Sequence, residues 1–286
     1  MRYQFLRFPG WKMKALTLSY DDGIRADIRL SEILEKYGIK CTFNINTSNF
    51  GKTNNPNKLQ PDEIKKFLID KGHEIAVHGD CHMAPGIAYP IGAIRDVLNC
   101  REKLEEAFGT IIRGMAYPDS GITRMFNGND RESIFAYLKD LGIVYARTLA
   151  ADNDSFLLPD NFYAWVPTAH HVNPNLMKWA RDFVAIKEEG YMTRKYPRLF
   201  YLWGHSYEFD NNDNWDLLEE FCETVSGKDD IWYATNIEIY DYVKAYNSLV
   251  MSADGKRVYN PTLIEIFFMR DDKNYSVKSG ETLVIE

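Results

Sequence analysis

Residues 19–23 read SYDDG, so two adjacent carboxylates, Asp21 and Asp22, follow the apolar run ALTL at what looks like a tight turn. Neighbouring carboxylates raise each other's free energy unless positive charge lies beside them. Further along, His78 and His82 are spaced HxxxH, a separation at which one cation can reach both rings. Gly79, Asp80, Pro85 and Gly86 surround the pair, which puts it on a strand end and turn rather than inside a helix. A carboxylate from DDG completes a two-histidine, one-aspartate set with open positions, the arrangement of a catalytic metal rather than a structural one. The second carboxylate is then left for proton transfer, because the metal and its neighbours separate the two pKa values. Such ligands suit one divalent ion: Zn²⁺ first, with Co²⁺, Ni²⁺ and Fe²⁺ also allowed. An HxxxH pair alone is a weak signal, and paired structural histidines are its ordinary alternative.

The elements that must position these residues repeat one phrase of amphipathic helix, glycine, short apolar strand and polar loop. SEILEKYGIKCTFNIN, PDEIKKFLIDKGHEIAVHG and RESIFAYLKDLGIVYART each carry it, with Gly38, Gly72 and Gly142 as helix ends. Eight apolar runs read as strands: ALTLSY, CTFNI, EIAVH, IIRGMAY, IVYART, FYAWVP, LFYLWG and IWYAT. Alternation on this scale predicts an α/β fold with a parallel sheet, and the lack of an early GxGxxG favours a (β/α) barrel over a doubly wound sheet. Polar segments follow the strand ends, and in such a barrel those ends share one face. Asp21, Asp22, His78, His82 and His205 are therefore expected to converge. Residues 251–286 differ: TLIEIFFM and ETLVIE flank turn residues, which predicts a short β-hairpin extension packed on a catalytic barrel of residues 1–250.

Bulk properties narrow the partners. The chain has 286 residues, 45% of them hydrophobic, and a formal net charge of −7, which argues against a nucleic-acid partner or an anionic membrane surface. The N-terminal segment lacks the apolar core of a signal peptide, and no run approaches the roughly 20 apolar residues of a membrane span, so a cytoplasmic protein is expected. Its four cysteines form no CxxC pair and are expected to be reduced.

Taken in order, LSYDDG, HGDCH, RGMAYPDSG and LFYLWGH resemble the motifs of the polysaccharide deacetylases that share the NodB homology domain, carbohydrate esterase family 4. The resemblance runs over roughly residues 14–250 and implies a distorted barrel of seven or eight parallel strands. It implies further that Asp21 is the catalytic base, that Asp22, His78 and His82 hold the metal, and that His205 is the general acid. The Tyr117–Pro118–Asp119 loop would offer a backbone N–H to the oxyanion.

Two departures stand out. The family's loop arginine is missing from MAYPDSG, with Ala116 or Tyr117 at its place and Arg113 three residues earlier as a candidate support; separately, Arg147 on a strand end is a candidate salt-bridge partner of Asp21. The family's Asp-Trp segment is also absent, leaving Asp152, Asp154 and Glu208 as candidate supports for His205. The implied activity is hydrolysis of an N-acetyl amide on a sugar or oligosaccharide. The alternatives are an O-acetyl esterase or small-amide hydrolase using the same site, and a catalytically silent glycan-binding relative. His170 and His171, after WVPT, are read as structural, with a second ion site as the other option.

Overall fold

The computed structural model describes residues 3–149, 154–188 and 195–285. Fourteen strands occur among them: β1 (Gln4–Arg7), β2 (Lys14–Asp21), β3 (Thr42–Ile45), β4 (Glu74–Val77), β5 (Gly114–Ala116), β6 (Tyr145–Arg147), β7 (Ala169–His170), β8 (Arg198–Gly204), β9 (Ile231–Tyr233), β10 (Val250–Met251), β11 (Arg257–Tyr259), β12 (Ile266–Arg270), β13 (Lys273–Val277) and β14 (Thr282–Val284). The helices are α1 (Ala26–Lys36), α2 (Pro61–Phe67), α3 (Pro90–Phe108), α4 (Arg131–Asp140), α5 (Leu176–Ala185), α6 (Tyr207–Asn212), α7 (Trp215–Val225) and α8 (Asn236–Asn247).

Parallel pairing builds a sheet in the order β6-β5-β4-β3-β2-β8-β7, curled into a half-barrel. β9 joins on the side, pairing Lys14–Leu16 of β2 while β3 pairs Ser19–Asp21 of the same strand. Every residue of β2 is buried, as expected of the central strand of a parallel sheet covered on both faces. Gly38, Gly72 and Gly142 all have positive φ at the ends of their helical segments, the conformation for which glycine carries no steric cost. Helices pack Leu30, Leu34, Ile64, Val97, Leu104, Ile134 and Leu138 against the sheet. Each such side chain contributes about 1.5–3 kcal/mol on leaving water.

One expected strand is placed differently. FYAWVP contains a short 3₁₀ turn at Phe162–Ala164 and a single bridge from Trp165 to Arg147. The neighbour of β8 is instead Ala169–His170, from the segment read as a loop. The aromatic run is apolar because Trp165 is buried between Tyr145 and Tyr201, in edge-on ring contacts, rather than because it is a full strand.

The C-terminal segment is larger than a hairpin, and the division after residue 250 does not follow the hydrogen bonding. β12 and β13 form the hairpin, but β1 pairs antiparallel with β12, so a three-stranded sheet joins both ends of the chain. β10, β11 and β14 form a second three-stranded sheet. Tyr242 of α8 locks the first sheet to the half-barrel: its hydroxyl donates to the Arg7 carbonyl at 2.7 Å and accepts the Phe267 N–H at 2.9 Å. No helix among the described residues is long and apolar enough to cross a membrane.

Candidate active site

Because the sheet is parallel, its carboxyl-terminal strand ends form one rim. Asp21 ends β2, Arg147 ends β6, and His78, Tyr117 and His205 directly follow β4, β5 and β8. The rim opens on a cleft of about 490 Å³ whose walls include Asp21, His78, His82, Asp119, Trp203 and His205.

Asp21 lies at the centre and is buried. Its Oδ1 accepts from Asn44 Nδ2 at 2.8 Å, and its Oδ2 accepts from Arg147 Nη2. His78 Nε2 and His205 Nε2 stand 3.8 and 3.9 Å from the same Oδ2. Burial opposes ionisation of Asp21, but the Arg147 guanidinium, the two imidazoles and the Asn44 hydrogen bond outweigh it and hold the carboxyl below its ordinary value. Arg147 is itself fixed by stacking, its guanidinium carbon 4.3 Å from the Trp203 ring centroid.

Asp22, His78 and His82 bring one ligand atom each within 4.8 Å of one another. His78 faces the Ala116 carbonyl through Nδ1 at 3.0 Å, and only a protonated Nδ1 can donate to that oxygen. Its Nε2 therefore carries the lone pair, and that atom is buried without a hydrogen-bond partner. Burial lowers the His78 pKa to about 4, so the ring is neutral at pH 7. A carbonyl behind Nδ1 and an orphaned Nε2 in front are what a metal-ligating histidine requires, and the set fits a divalent cation. Asp22 Oδ1 accepts from Asn46 Nδ2 at 2.8 Å and lies 3.7 Å from His82 Nε2. Both Asp22 (φ 85°) and His82 (φ 60°) are left-handed, a conformation that costs non-glycine residues free energy and recurs at functional sites.

Asp96 of α3 holds the turn that delivers His82. Its carboxylate accepts the Cys81 N–H at 2.6 Å and the Met83 N–H at 3.1 Å, on either side of His82. Gly79 has φ 72°, and a Cβ there would stand 2.2 Å from Asp96 Oδ2, so the turn and its carboxylate fit only around glycine.

His205 faces two carboxylates, Asp21 through Nε2 and Glu208 through Nδ1 at 3.4 Å. Burial disfavours its charge, yet Glu208 and Asp21 raise its pKa above the ordinary histidine value. His170 and His171 crowd the same Glu208, with Nε2 atoms 3.3 Å from its Oε2.

Three expectations need correction. Arg113 does not reach the site: it forms a two-pronged ion pair with Asp241 of α8, at 2.9 and 2.6 Å. It precedes Ala116 by three residues, roughly 10 Å along an extended chain, which places it at the opposite end of β5. The Tyr117 N–H is taken by the Arg147 carbonyl at 3.0 Å, and Pro118 has none, so only Asp119 could lend that loop's N–H to an oxyanion. Asp154 is exposed, and Asp152 lies outside the described residues. Trp203 is half-buried and lines the cleft. Sequence reasoning missed Asn44, Asn46 and Asp96, whose contributions are hydrogen bonds that appear only once distant segments meet.

Comparison with known proteins adds the following. The family model for polysaccharide deacetylase matches residues 11–144. No curated protein matches the sequence. Among solved structures, a Mycobacterium smegmatis protein described as a polysaccharide deacetylase superposes with a TM-score of 0.58 at 19% identity, covering 86% of this chain and 96% of that one. PuuE allantoinase gives 0.56 at 13% identity, over 82% and 91%. The chitin deacetylase of the fungal pathogen Colletotrichum lindemuthianum gives 0.52 at 15% identity, over 79% and 87%. At these identities the structural likeness is one of fold.

Proposed function

We propose that this chain, which matches the polysaccharide deacetylase family model over residues 11–144, is a divergent member of that family and a metal-dependent hydrolase removing acetyl groups from the nitrogen of N-acetylated sugars or oligosaccharides. The observation that carries this reading is the buried Nε2 of His78, without a hydrogen-bond partner, where Asp22 and His82 converge. A divalent cation held by Asp22, His78 and His82 would polarise the acyl carbonyl and make a nearby water more acidic.

The remaining work falls to the chain's own side chains. Asp21, kept ionised by Arg147, takes a proton from the water as its oxygen bonds to the acyl carbon. His205 then gives its Nε2 proton to the sugar nitrogen as the C–N bond breaks, releasing acetate and a free amine. Nitrogen leaves poorly without that proton, so a histidine with a raised pKa suits the role.

The test pairs metal analysis with product analysis. Purified without chelator, the wild type should hold close to one metal per chain and His78→Ala far less. The loaded wild type should release acetate from N-acetylated oligosaccharides. If the loaded protein released none from any N-acetylated sugar, the assignment would fail even with the metal in place.

A further inference from the structure

Asp22 has a positive partner of its own. Lys58 Nζ donates to the Asp22 carbonyl at 2.8 Å and stands 3.6 Å from carboxylate Oδ1, the oxygen that Asn46 bonds and His82 faces. With Arg147 on Asp21, each carboxylate of the DDG turn is matched by one cation supplied by the chain. The lysine is no loosely swinging surface charge. Its backbone bridges Ile24, and its side chain is only 17% exposed.

Two roles are open to it. As a strut, its hydrogen bond to the carbonyl would hold Asp22 in its left-handed conformation. As a charge, it would compete with a metal for the same carboxylate. The backbone decides between them. The Asp22 N–H donates to the Asn44 carbonyl at 2.9 Å, the Leu59 N–H to the Gly23 carbonyl at 2.9 Å, and the Arg25 N–H to the Asn57 carbonyl at 2.8 Å. The turn is therefore held by three backbone hydrogen bonds that do not need the lysine side chain. What Nζ adds is its charge, and like charges that share one half-buried carboxylate repel with little screening.

We propose that Lys58 is a resident cation of the metal site: it balances Asp22 in the metal-free protein, and it weakens the hold of Asp22, His78 and His82 on a divalent ion. This rests on the reading of those three residues as metal holders. Metal uptake then meets a carboxylate that is already paired, so the DDG turn keeps its shape without metal and the site loads according to supply. Coupling between lysine and ion is reciprocal, so the affinity that Lys58 takes away returns when its charge is removed. A strut predicts the opposite sign, because losing a residue that orients a ligand weakens metal binding.

The experiment measures Zn²⁺ and Co²⁺ dissociation constants of the full chain by chelator competition, beside thermal melting with and without the ion. Lys58→Met removes the charge and keeps the aliphatic stem. Lys58→Gln removes it with a shorter polar side chain, and Lys58→Arg retains it. Both uncharged variants should bind the ion at least ~5-fold more tightly than wild type, the low end of ordinary coupling between sites. Both should melt lower than wild type without metal and gain more in Tm when the ion is added, while Lys58→Arg stays near wild type. Adding His78→Ala should abolish the tightening, which locates the ion at this site. Weaker or unchanged binding in the uncharged variants overturns the proposal. Absence of binding in wild type and variants alike overturns it together with the metal reading. Tighter binding in a protein that releases no acetate leaves the resident cation standing and sinks the hydrolytic reading alone.

Discussion

Arg147 donates to Asp21 across the sheet, from the last residue of β6 to the last residue of β2, at a carboxylate oxygen that His78 Nε2 and His205 Nε2 also face from 3.8 and 3.9 Å. The loop arginine of the polysaccharide deacetylases is absent from MAYPDSG, and a guanidinium from the next strand reaches Asp21 instead. The shape of the group matters here as well as its charge, because Arg147 also stacks on Trp203. Arg147→Lys should therefore fold and bind metal yet lose roughly 10–100-fold in kcat, the usual cost of disturbing an orienting partner. Steady-state kinetics beside metal analysis checks this, and wild-type kcat in the lysine variant would remove Arg147 from the mechanism.

Asp21 and Asp22 are adjacent but predict different phenotypes. Asp21→Asn should keep its metal and lose on the order of 10²–10⁴-fold in turnover, as expected for a missing general base. Asp22→Ala and His78→Ala should lose metal and activity together. Elemental analysis of the three proteins separates the roles, and a fully active Asp21→Asn would mean that another group is the base.

Asp96 touches no expected ligand, yet its two hydrogen bonds bracket His82. Asp96→Ala should weaken metal binding roughly 10–100-fold, the scale typical of residues that orient ligands. Competition with a chromogenic chelator measures the shift. Unaltered affinity would show that the 78–83 turn holds itself.

Glu74, at the amino end of β4, gives a pH signature away from the chemistry. Burial pushes its pKa up to about 7, even though Tyr145, Thr42 and Ile237 donate hydrogen bonds to it. In the unfolded chain it titrates near 4.3. The folded state thus binds the extra proton between these values, and this stabilising term is lost as pH rises through about 7. At about 1.4 kcal/mol per pKa unit, the difference is on the order of 3 kcal/mol. Glu74→Gln cannot ionise, so its stability relative to wild type should improve by up to that amount between pH 4 and pH 8. Denaturant unfolding at the two pH values tests this, and a constant difference between the proteins would rule it out.

Much of the site could be read in the chain because its parts sit at strand ends. A DDG turn after an apolar strand and an HxxxH after another can be joined through the rule that parallel strand ends share a face. The partners of those residues were harder to read. Arg147 could be offered as a partner of Asp21 only because YART ends a strand, and Asn44 looks like any polar residue in CTFNI until β3 pairs with β2. Asp96 sits in an ordinary helix, and its role depends on where α3 lies against a loop. FYAWVP misled for a related reason, since apolarity reports burial and not the hydrogen-bonding ladder.

The pairing of β1 with β12 has a consequence for synthesis. Ribosomes deliver the chain from its amino end, so QFLR emerges long before its partner strand IFFMR. Through that interval Phe5 and Leu6 have no strand to cover them, although the half-barrel can already close ranks behind them. A chain cut after residue 250 would keep every residue of the proposed chemistry and still carry that uncovered edge, a ready template for sticking to other chains.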